Sequence, residues 1–582
     1  MGEYTHKKTK RTCINIIIAL VIVVSSLSIV TVDAKHKTIN IQQSSDNIKL
    51  SISEKSIIIT PPEFYQAAEK LKTIHNNNGV STAIINTTTI NTLYTPAEDP
   101  PFKGYASSQI SRYLIKNYKY DLAKKIIKFL RDDDTHPNLE YVTLLGDGEH
   151  IPASYYIHST MRWTKKILRM ITIPDIYNNR IPTDFFYISP DYNLYPDYKV
   201  GRISVSTVTE AYRYVEKLRR WQDNVSWTWF QNVYVGGAQP NLTDEMDLYG
   251  CYAGEMIAAD AINNDYFQGM NITKLFLTEG SFNRSSILNA LNKGEAGFFF
   301  MMTHGFTDRW GAEENQGKNP YVLTDDILAL PERTRIPIIV SVACMCGAYD
   351  TDCMHPLLVM KKGEKSFGEA VLLSDGAGIS YIGTTRGTLG SPLLYLNRGE
   401  VTITKERGIA GMLLNIFKFY HENNETNIRL GDIVLEAMKK YINDNTFASN
   451  IEKDESFIVL VSLILLGDPV ITLPHQQTQD KPSYQKPHLN ALNPEGFTSE
   501  TYPRPWYLTN STVHISIETN SSFIVVKRIN IDNNIVAEKI TLTMVNNTAT
   551  YTFTSTTPAQ YLIRASSPDG KEGWLYCTIK NS

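Results

Sequence analysis

A histidine and a cysteine, each closing an apolar run, are the residues of this chain best placed to do chemistry. His304 lies in "FFFMMTHGFTDRWG" (298–311) and Cys344 in "PIIVSVACMCGAYDTD" (337–352). In open α/β sheets the residues that handle ligands follow the carboxyl ends of strands, and both side chains qualify. A thiolate attacks a peptide carbonyl and an imidazole protonates the departing amine, so the pair needs no metal and no cofactor. Gly305, next to the histidine, lets a substrate carbonyl approach the main chain, where its N–H would help hold an oxyanion.

Plainer readings stand beside this one. A cysteine after an apolar strand is commonly a packed small hydrophobe, and a strand-end histidine a satisfied polar group. Cys344, Cys346, Cys353 and His355 also offer four metal ligands close together. Cys-x-Cys is tighter than the roughly 2 to 4 intervening residues of structural zinc sites, and exported thiols tend to oxidise. A Cys346–Cys353 disulfide is therefore preferred to zinc. Asp191, Asn193 and Asp197 in "SPDYNLYPDYK" form an oxygen-rich loop that could hold structural calcium, with a solvated acidic loop as the plainer alternative.

The elements that must position the pair alternate between strand and helix. "SIIITPPEFYQAAEKLKTIHNNNGVSTAIINTTTI" reads as strand, a helix starting just after Pro61-Pro62, a turn at Asn78-Gly79 and a second strand. Helical spacing in "ISRYLIKNYKY", "LAKKIIKFLRDD", "EAYRYVEKLRRWQ", "GEMIAADAI", "SSILNALN", "SFGEAVLLS" and "GIAGMLLNIFKFYHE" alternates with apolar runs such as "LEYVTLLGD", "NVYVGGA", "ITKLFLT" and "GISYIGTT". That order implies parallel sheets covered by helices on both faces. The apolar run Phe457–Gly467 is too short for a membrane span and reads as a buried strand.

A polar, Pro-containing linker at 475–492 separates this region from six runs of alternating polarity in 493–582, read as an immunoglobulin-like β-sandwich for support or attachment. The boundaries expected are a targeting segment at 1–34, an N-terminal α/β subdomain at 49–224 and a catalytic α/β subdomain at 225–474.

Composition narrows the setting. The 582 residues are 42% hydrophobic and 20% charged, with a net charge of -3, which excludes a disordered chain and argues against a nucleic-acid partner. Lys7, Lys8, Lys10 and Arg11 precede an apolar stretch from Cys13 to Val32 and small residues at Ala34. This is a secretory signal layout, cleaved near Ala34 or retained as an N-terminal anchor. Asn-x-Ser/Thr triplets at Asn224, Asn241, Asn271 and Asn520 are compatible with export.

Ala343-Cys344-Met345-Cys346-Gly347, with His304 upstream, is close to the caspase pattern, with one extra residue before the glycine. More specifically, "EYVTLLGDGEHIPASYY", "PTDFFYI", "DYKVGRISVST", "FFFMMTHGFTDRWG", "PIIVSVACMCGAYD", "GISYIGTTRG" and "LILLGDPVITLP" occur in the order and spacing of the gingipain family of cysteine peptidases, which the chain resembles from about 57 to 474. The resemblance implies a caspase-like fold of two adjoining α/β subdomains followed by an immunoglobulin-like domain. It places the catalytic histidine on His304 and the nucleophile on Cys344, with Cys346 at a non-catalytic position.

Two departures from the pattern matter. Where gingipains have a glutamate supporting the histidine, this chain has Gln239, which orients an imidazole but does not stabilise its charge as a carboxylate does. Arg-cleaving gingipains use an acidic residue a little further on; Asp244, Glu245 and Asp247 are available, and Asp247 is taken as the candidate. The reading is an exported cysteine endopeptidase acting on proteins or peptides. The alternatives are a surface binding or adhesion protein on a peptidase fold, or a thiol transpeptidase.

Overall fold

The computed structural model describes residues 42–44, 47–100, 120–157, 180–237, 253–311, 322–351, 365–387, 394–397, 400–403, 408–423, 428–445, 455–474, 484–497, 504–531 and 535–582. The targeting segment, the helix read at 110–120 except for its last residue Tyr120, Gln239, Asp244, Glu245, Asp247, Cys353 and His355 lie outside the described residues. The chain divides into a leading unit, 1–52, and a second unit, 53–582. In the first, Gln42–Ser44 and Asn47–Lys49 pair as an antiparallel hairpin.

Ten strands of the second unit form one sheet: β1 (Ser56–Thr60), β2 (Thr82–Asn86), β3 (Tyr141–Leu145), β4 (Lys199–Ile203), β5 (Asn232–Gly237), β6 (Asn271–Phe276), β7 (Phe298–Met302), β8 (Ile338–Val342), β9 (Ser380–Thr384) and β10 (Leu463–Leu466). Their spatial order is β6-β5-β7-β8-β9-β10-β4-β3-β1-β2. Strands β5 to β9 are mutually parallel, and so are β1 to β4. β10 runs antiparallel to β9 and parallel to β4, so the two halves join edge to edge in opposite directions. β1, β3, β7, β8 and β9 are buried throughout, as expected of parallel strands covered on both faces, which read as unbroken apolar runs.

The covering helices include α1 (Tyr65–Asn77), α2 (Tyr120–Leu130), α3 (Val208–Asn224), α4 (Ala253–Asn263), α5 (Arg284–Lys293), α6 (Phe367–Leu373), α7 (Ile409–Glu422), α8 (Leu430–Asp444) and α9 (Glu455–Ser462). α9 corrects the reading of Phe457–Gly467 as one strand: the run is helical as far as Ser462, and only Leu463–Leu466 is extended. An apolar run buried on every side carries no periodicity to separate the two states. Among the described residues no helix is long and apolar enough to cross a membrane.

The C-terminal region is strand-rich. β11 (His488–Leu492), β12 (Thr512–Glu518) and β15 (Thr548–Thr554) form one sheet. β13 (Phe523–Asn530), β14 (Ile535–Thr543), β16 (Ala559–Ser566) and β17 (Glu572–Lys580) belong to the other. Val513, Ile515 and Ile517 on β12 join Ile524, Val526, Ile563, Leu575, Cys577 and Ile579 in a core built on alternate residues. β11 falls within the stretch read as linker. A second unforeseen feature is the hairpin Leu394–Asn397/Glu400–Ile403, which leaves the α/β region after β9 and pairs with β17 at Glu400 and Leu575.

Candidate active site

The chain order β5, β6, then β7 on the far side of β5, places a topological switch between β5 and β7, where open sheets receive ligands at their carboxyl ends. Met302 at the end of β7 is in register with Gly237 at the end of β5 and with Val342 at the end of β8. His304 and Cys344 each lie two residues beyond that level. Neighbouring strands are about 4.8 Å apart, so the register alone brings the two residues to one end of the sheet, side by side.

Local bonds fix both loops. The Thr303 N–H donates to the Val342 carbonyl at 3.2 Å, and the Thr384 hydroxyl donates to the Ala343 carbonyl at 3.1 Å. Past His304 the chain turns back as a two-residue hairpin, Gly305–Phe306 against Arg309–Trp310. Trp310 is buried, donates its indole N–H to the Ser341 hydroxyl at 2.9 Å, and packs on Phe367 with ring centroids 4.5 Å apart. The first turn of α6 closes the arrangement: the Phe367 N–H donates to the Thr307 carbonyl and the Gly368 N–H to the Cys346 carbonyl, both at 2.7 Å.

Gly305 lies directly against the cysteine loop. A Cβ at this position would sit 2.5 Å from the Cys344 carbonyl oxygen, 2.6 Å from Cys346 Sγ and 2.8 Å from Ala343 Cβ, so no larger residue fits. Bonded pairs alternate along an antiparallel ladder. Because the Gly311 N–H donates to the His304 carbonyl at 2.7 Å, Gly305 and Trp310 form a non-bonded pair, and the Gly305 N–H is not spent on the hairpin.

The two cysteines differ sharply. Cys344 is partly exposed. Cys346 is fully buried beneath the hairpin, donating its thiol toward the carbonyls of Phe306 at 3.2 Å and Arg309 at 3.4 Å. Burial, followed by the nearby Cys344 thiol, pushes the Cys346 pKa well above the ordinary 9.0. Cys346 is a free thiol, which corrects the expected Cys346–Cys353 disulfide: its sulfur is turned into the core under residues 305–310. Cys577 is free and buried in the C-terminal core, its pKa pushed up to about 12 by burial.

His304 is half-buried, and burial lowers its pKa below the ordinary 6.5, so the neutral imidazole prevails at neutral pH. Its Nε2 is buried and makes no hydrogen bond among the described residues.

Sequence reasoning missed the supports of the cysteine loop. Met345 adopts φ 60, a left-handed conformation that costs a non-glycine residue roughly 1–2 kcal/mol and that marks a tightly held turn. The Met345 N–H donates to the Arg386 carbonyl at 3.3 Å and the Gly347 N–H to the Thr384 carbonyl at 2.8 Å. Further along, buried Asp350 pairs with Arg386 at 2.6 Å and accepts from the Tyr155 hydroxyl at 3.0 Å. The Tyr349 hydroxyl donates to Asp184 at 2.8 Å, and Arg202 grips the same carboxylate with two nitrogens. The N-terminal half of the sheet thus anchors the loop that carries Cys344.

At the expected calcium loop, Asp191, Asn193 and Asp197 are exposed. The Asn193 side-chain oxygen accepts from the Ser189 hydroxyl at 3.1 Å and the Tyr195 N–H at 2.8 Å. Partial burial and the charges of Asp191 and Asp133 raise Asp197 to about 6. Among the described residues no group of three or more His, Cys, Asp or Glu side chains is arranged to hold a metal ion.

These features describe an α/β protein that presents a thiol and an imidazole from neighbouring ends of parallel strands. The chain belongs to peptidase family C25, whose sequence model matches residues 51–474. A protein of Archaeoglobus fulgidus described as uncharacterized is 27% identical over 407 residues, covering 68% of this chain and 90% of that protein. The complex of Porphyromonas gingivalis RgpB pro- and mature domains covers 90% of this chain and 100% of its own at 14% identity, with a TM-score of 0.47. The Arg-specific cysteine proteinase gingipain R (RgpB) covers 93% of this chain and 99% of its own at 13% identity, with a TM-score of 0.49.

Proposed function

We propose that this member of peptidase family C25 is an exported cysteine endopeptidase in which Cys344 is the nucleophile and His304 the general base and acid. The observation that supports the reading best is the shared register of β7 and β8, whose neighbouring carboxyl ends lead directly into His304 and the partly exposed Cys344 beside the switch point. Neutral His304 takes the Cys344 proton as sulfur attacks the scissile carbonyl. The tetrahedral oxyanion is received by the N–H of Gly305, which the hairpin ladder does not use, and by that of Cys344. Collapse breaks the C–N bond, and the imidazolium gives its proton to the amine. Water, deprotonated by the same imidazole, then hydrolyses the thioester. Cys346, protonated and buried, takes no covalent part.

Gln239 is assigned to orienting His304, and Asp247 to substrate binding, both by resemblance. Protein and peptide chains are the substrates, and the chemistry uses no cofactor, so chelators should leave turnover intact, including any structural calcium effect confined to stability. Export follows from the N-terminal layout.

The test is hydrolysis of a peptide library by the mature protein under reducing conditions, which also maps the residue preferred before the scissile bond. Cys344→Ala should abolish cleavage, and a peptide ketone should label Cys344 alone. Turnover surviving in Cys344→Ala would overturn the assignment. A folded wild-type protein that neither labels nor cleaves would favour the binding-protein reading, and transfer to added amines would favour transpeptidation.

A further inference from the structure

Arg564, on β16 of the C-terminal region, is fully buried, far in sequence from His304 and Cys344. Its guanidinium is saturated. Nε donates to Glu572 at 2.6 Å, one terminal nitrogen to Glu255 at 2.8 Å and the Thr278 hydroxyl at 2.6 Å, and the other to Glu279 at 3.1 Å and Glu572 at 2.5 Å. Glu255 is itself fully buried in the first turn of α4, and the Thr278 N–H donates to its second oxygen at 3.0 Å. Glu572 reaches the α/β region a second time, through Lys274 on β6 at 2.6 Å and through paired main-chain bonds with the Asn263 side chain. A buried fork of this kind fixes geometry as well as charge.

What the fork holds is the neck beside the proposed site. Gly254, one residue before Glu255, lies against Gly237 so closely that a Cβ on Gly237 would meet the Gly254 carbonyl oxygen at 2.4 Å and Glu255 Cα at 2.7 Å. Gly237 ends β5 in register with Met302, two residues before His304. Close-packed contacts with no slack transmit displacement. A shift at Glu255 therefore reaches the strand end that flanks the histidine.

We propose that the C-terminal region is an integral part of the catalytic unit, and that Arg564 is a positioning residue holding the β5–α4 neck beside His304 through Glu255. This goes beyond the support or attachment role expected of that region, and it rests on the peptidase reading given above. The electrostatics agree with the geometry. Burial pushes Glu255 up to about 7 against the pull of Arg564, whereas Arg564 and Lys274 outweigh burial at Glu572 and take it down to about 2. Among the described residues the charged groups that act on Glu255 are Arg564 and Glu572. Removing the guanidinium leaves Glu255 without its cation, so burial drives it to the neutral acid and the hydrogen bonds that seat it at the neck are lost.

The experiment compares the wild type with Arg564→Met and with Arg564→Lys, which keeps the charge and loses the fork. Turnover is expressed per Cys344 titrated with a peptide ketone, so loss of folded protein does not enter. A displacement of about 1 Å costs as much as 10²-fold, so kcat per titrated site should fall about 10- to 100-fold in Arg564→Met and several-fold in Arg564→Lys, with KM changing less. Hydrogen exchange should quicken at Val235–Gly237 and at Thr303 in both variants. Unchanged kcat per site in a folded variant would overturn the inference while leaving the peptidase reading intact. Should the wild type cleave nothing, that reading fails, and unchanged exchange at the neck then independently refutes the positioning role.

Discussion

Removing the Cys346 sulfur separates the roles of the two adjacent cysteines more cleanly than any other single change. Cys346 has no exposed surface, and its thiol meets the Phe306 and Arg309 carbonyls, with the buried Tyr381 hydroxyl also beside it. Thiols are weak donors, so the cost of Cys346→Ala is chiefly a void the size of one sulfur atom. Lost burial of one such group is worth about 0.8 kcal/mol, and the residual cavity adds a comparable amount, giving about 1–2 kcal/mol in all. The void opens beneath Gly305, whose missing Cβ would lie 2.6 Å from that sulfur, so the hairpin can relax slightly toward it. Urea unfolding should report the destabilisation, and turnover per ketone-titrated Cys344 should remain within a few-fold of wild type. In contrast, Cys344→Ala should abolish turnover with little change in stability. A folded Cys346→Ala protein with no turnover, together with labelling that survives Cys344→Ala, would refute both the nucleophile assignment and the burial argument behind it.

Three other outcomes follow from the same geometry. Because burial depresses the His304 pKa and the proposed mechanism uses the neutral imidazole as base, the acid limb of kcat/KM should lie below pH 6.5, and His304 should withdraw stability as pH falls from 6.5 through its folded value, measurable by unfolding across that range. Gly305→Ala forces a methyl into the Cys344 carbonyl and should cost about 10²- to 10³-fold in kcat, the usual loss when an oxyanion donor is displaced, read by steady-state kinetics. Met345→Gly removes the left-handed strain of roughly 1–2 kcal/mol but adds flexibility to the unfolded chain, so thermal unfolding should show a net gain no greater than about 1 kcal/mol.

Much of the α/β architecture was legible in local pattern. The fully apolar runs "SIIIT", "YVTLL", "FFFMM" and "IIVSV" are strands because residues covered on both faces have no polar alternation, and amphipathic runs such as Val208–Asn224 are helices. Residues at the ends of those runs, His304 and Cys344, could be marked before any tertiary contact was known. The length of the apolar run ending at Gly467 could not be parsed the same way, and the strand at His488–Leu492 was hidden in a polar, Pro-containing stretch.

By itself, then, the sequence determined the alternation of strands and helices, the change to short alternating strands in the C-terminal region, and the two side chains that follow β7 and β8. Those properties depend on a residue and its near neighbours, which set backbone preference and the period of burial. Only the tertiary structure decided which of two cysteines separated by one residue is turned to solvent, because that choice is made by the 305–310 hairpin lying over Cys346. It also decided that Met345 is held left-handed by a carbonyl at Arg386, and that Arg564 meets Glu255 across 309 positions. Such pairings are fixed by packing of the whole unit, where a buried charge must find its counter-charge wherever the fold brings one within reach.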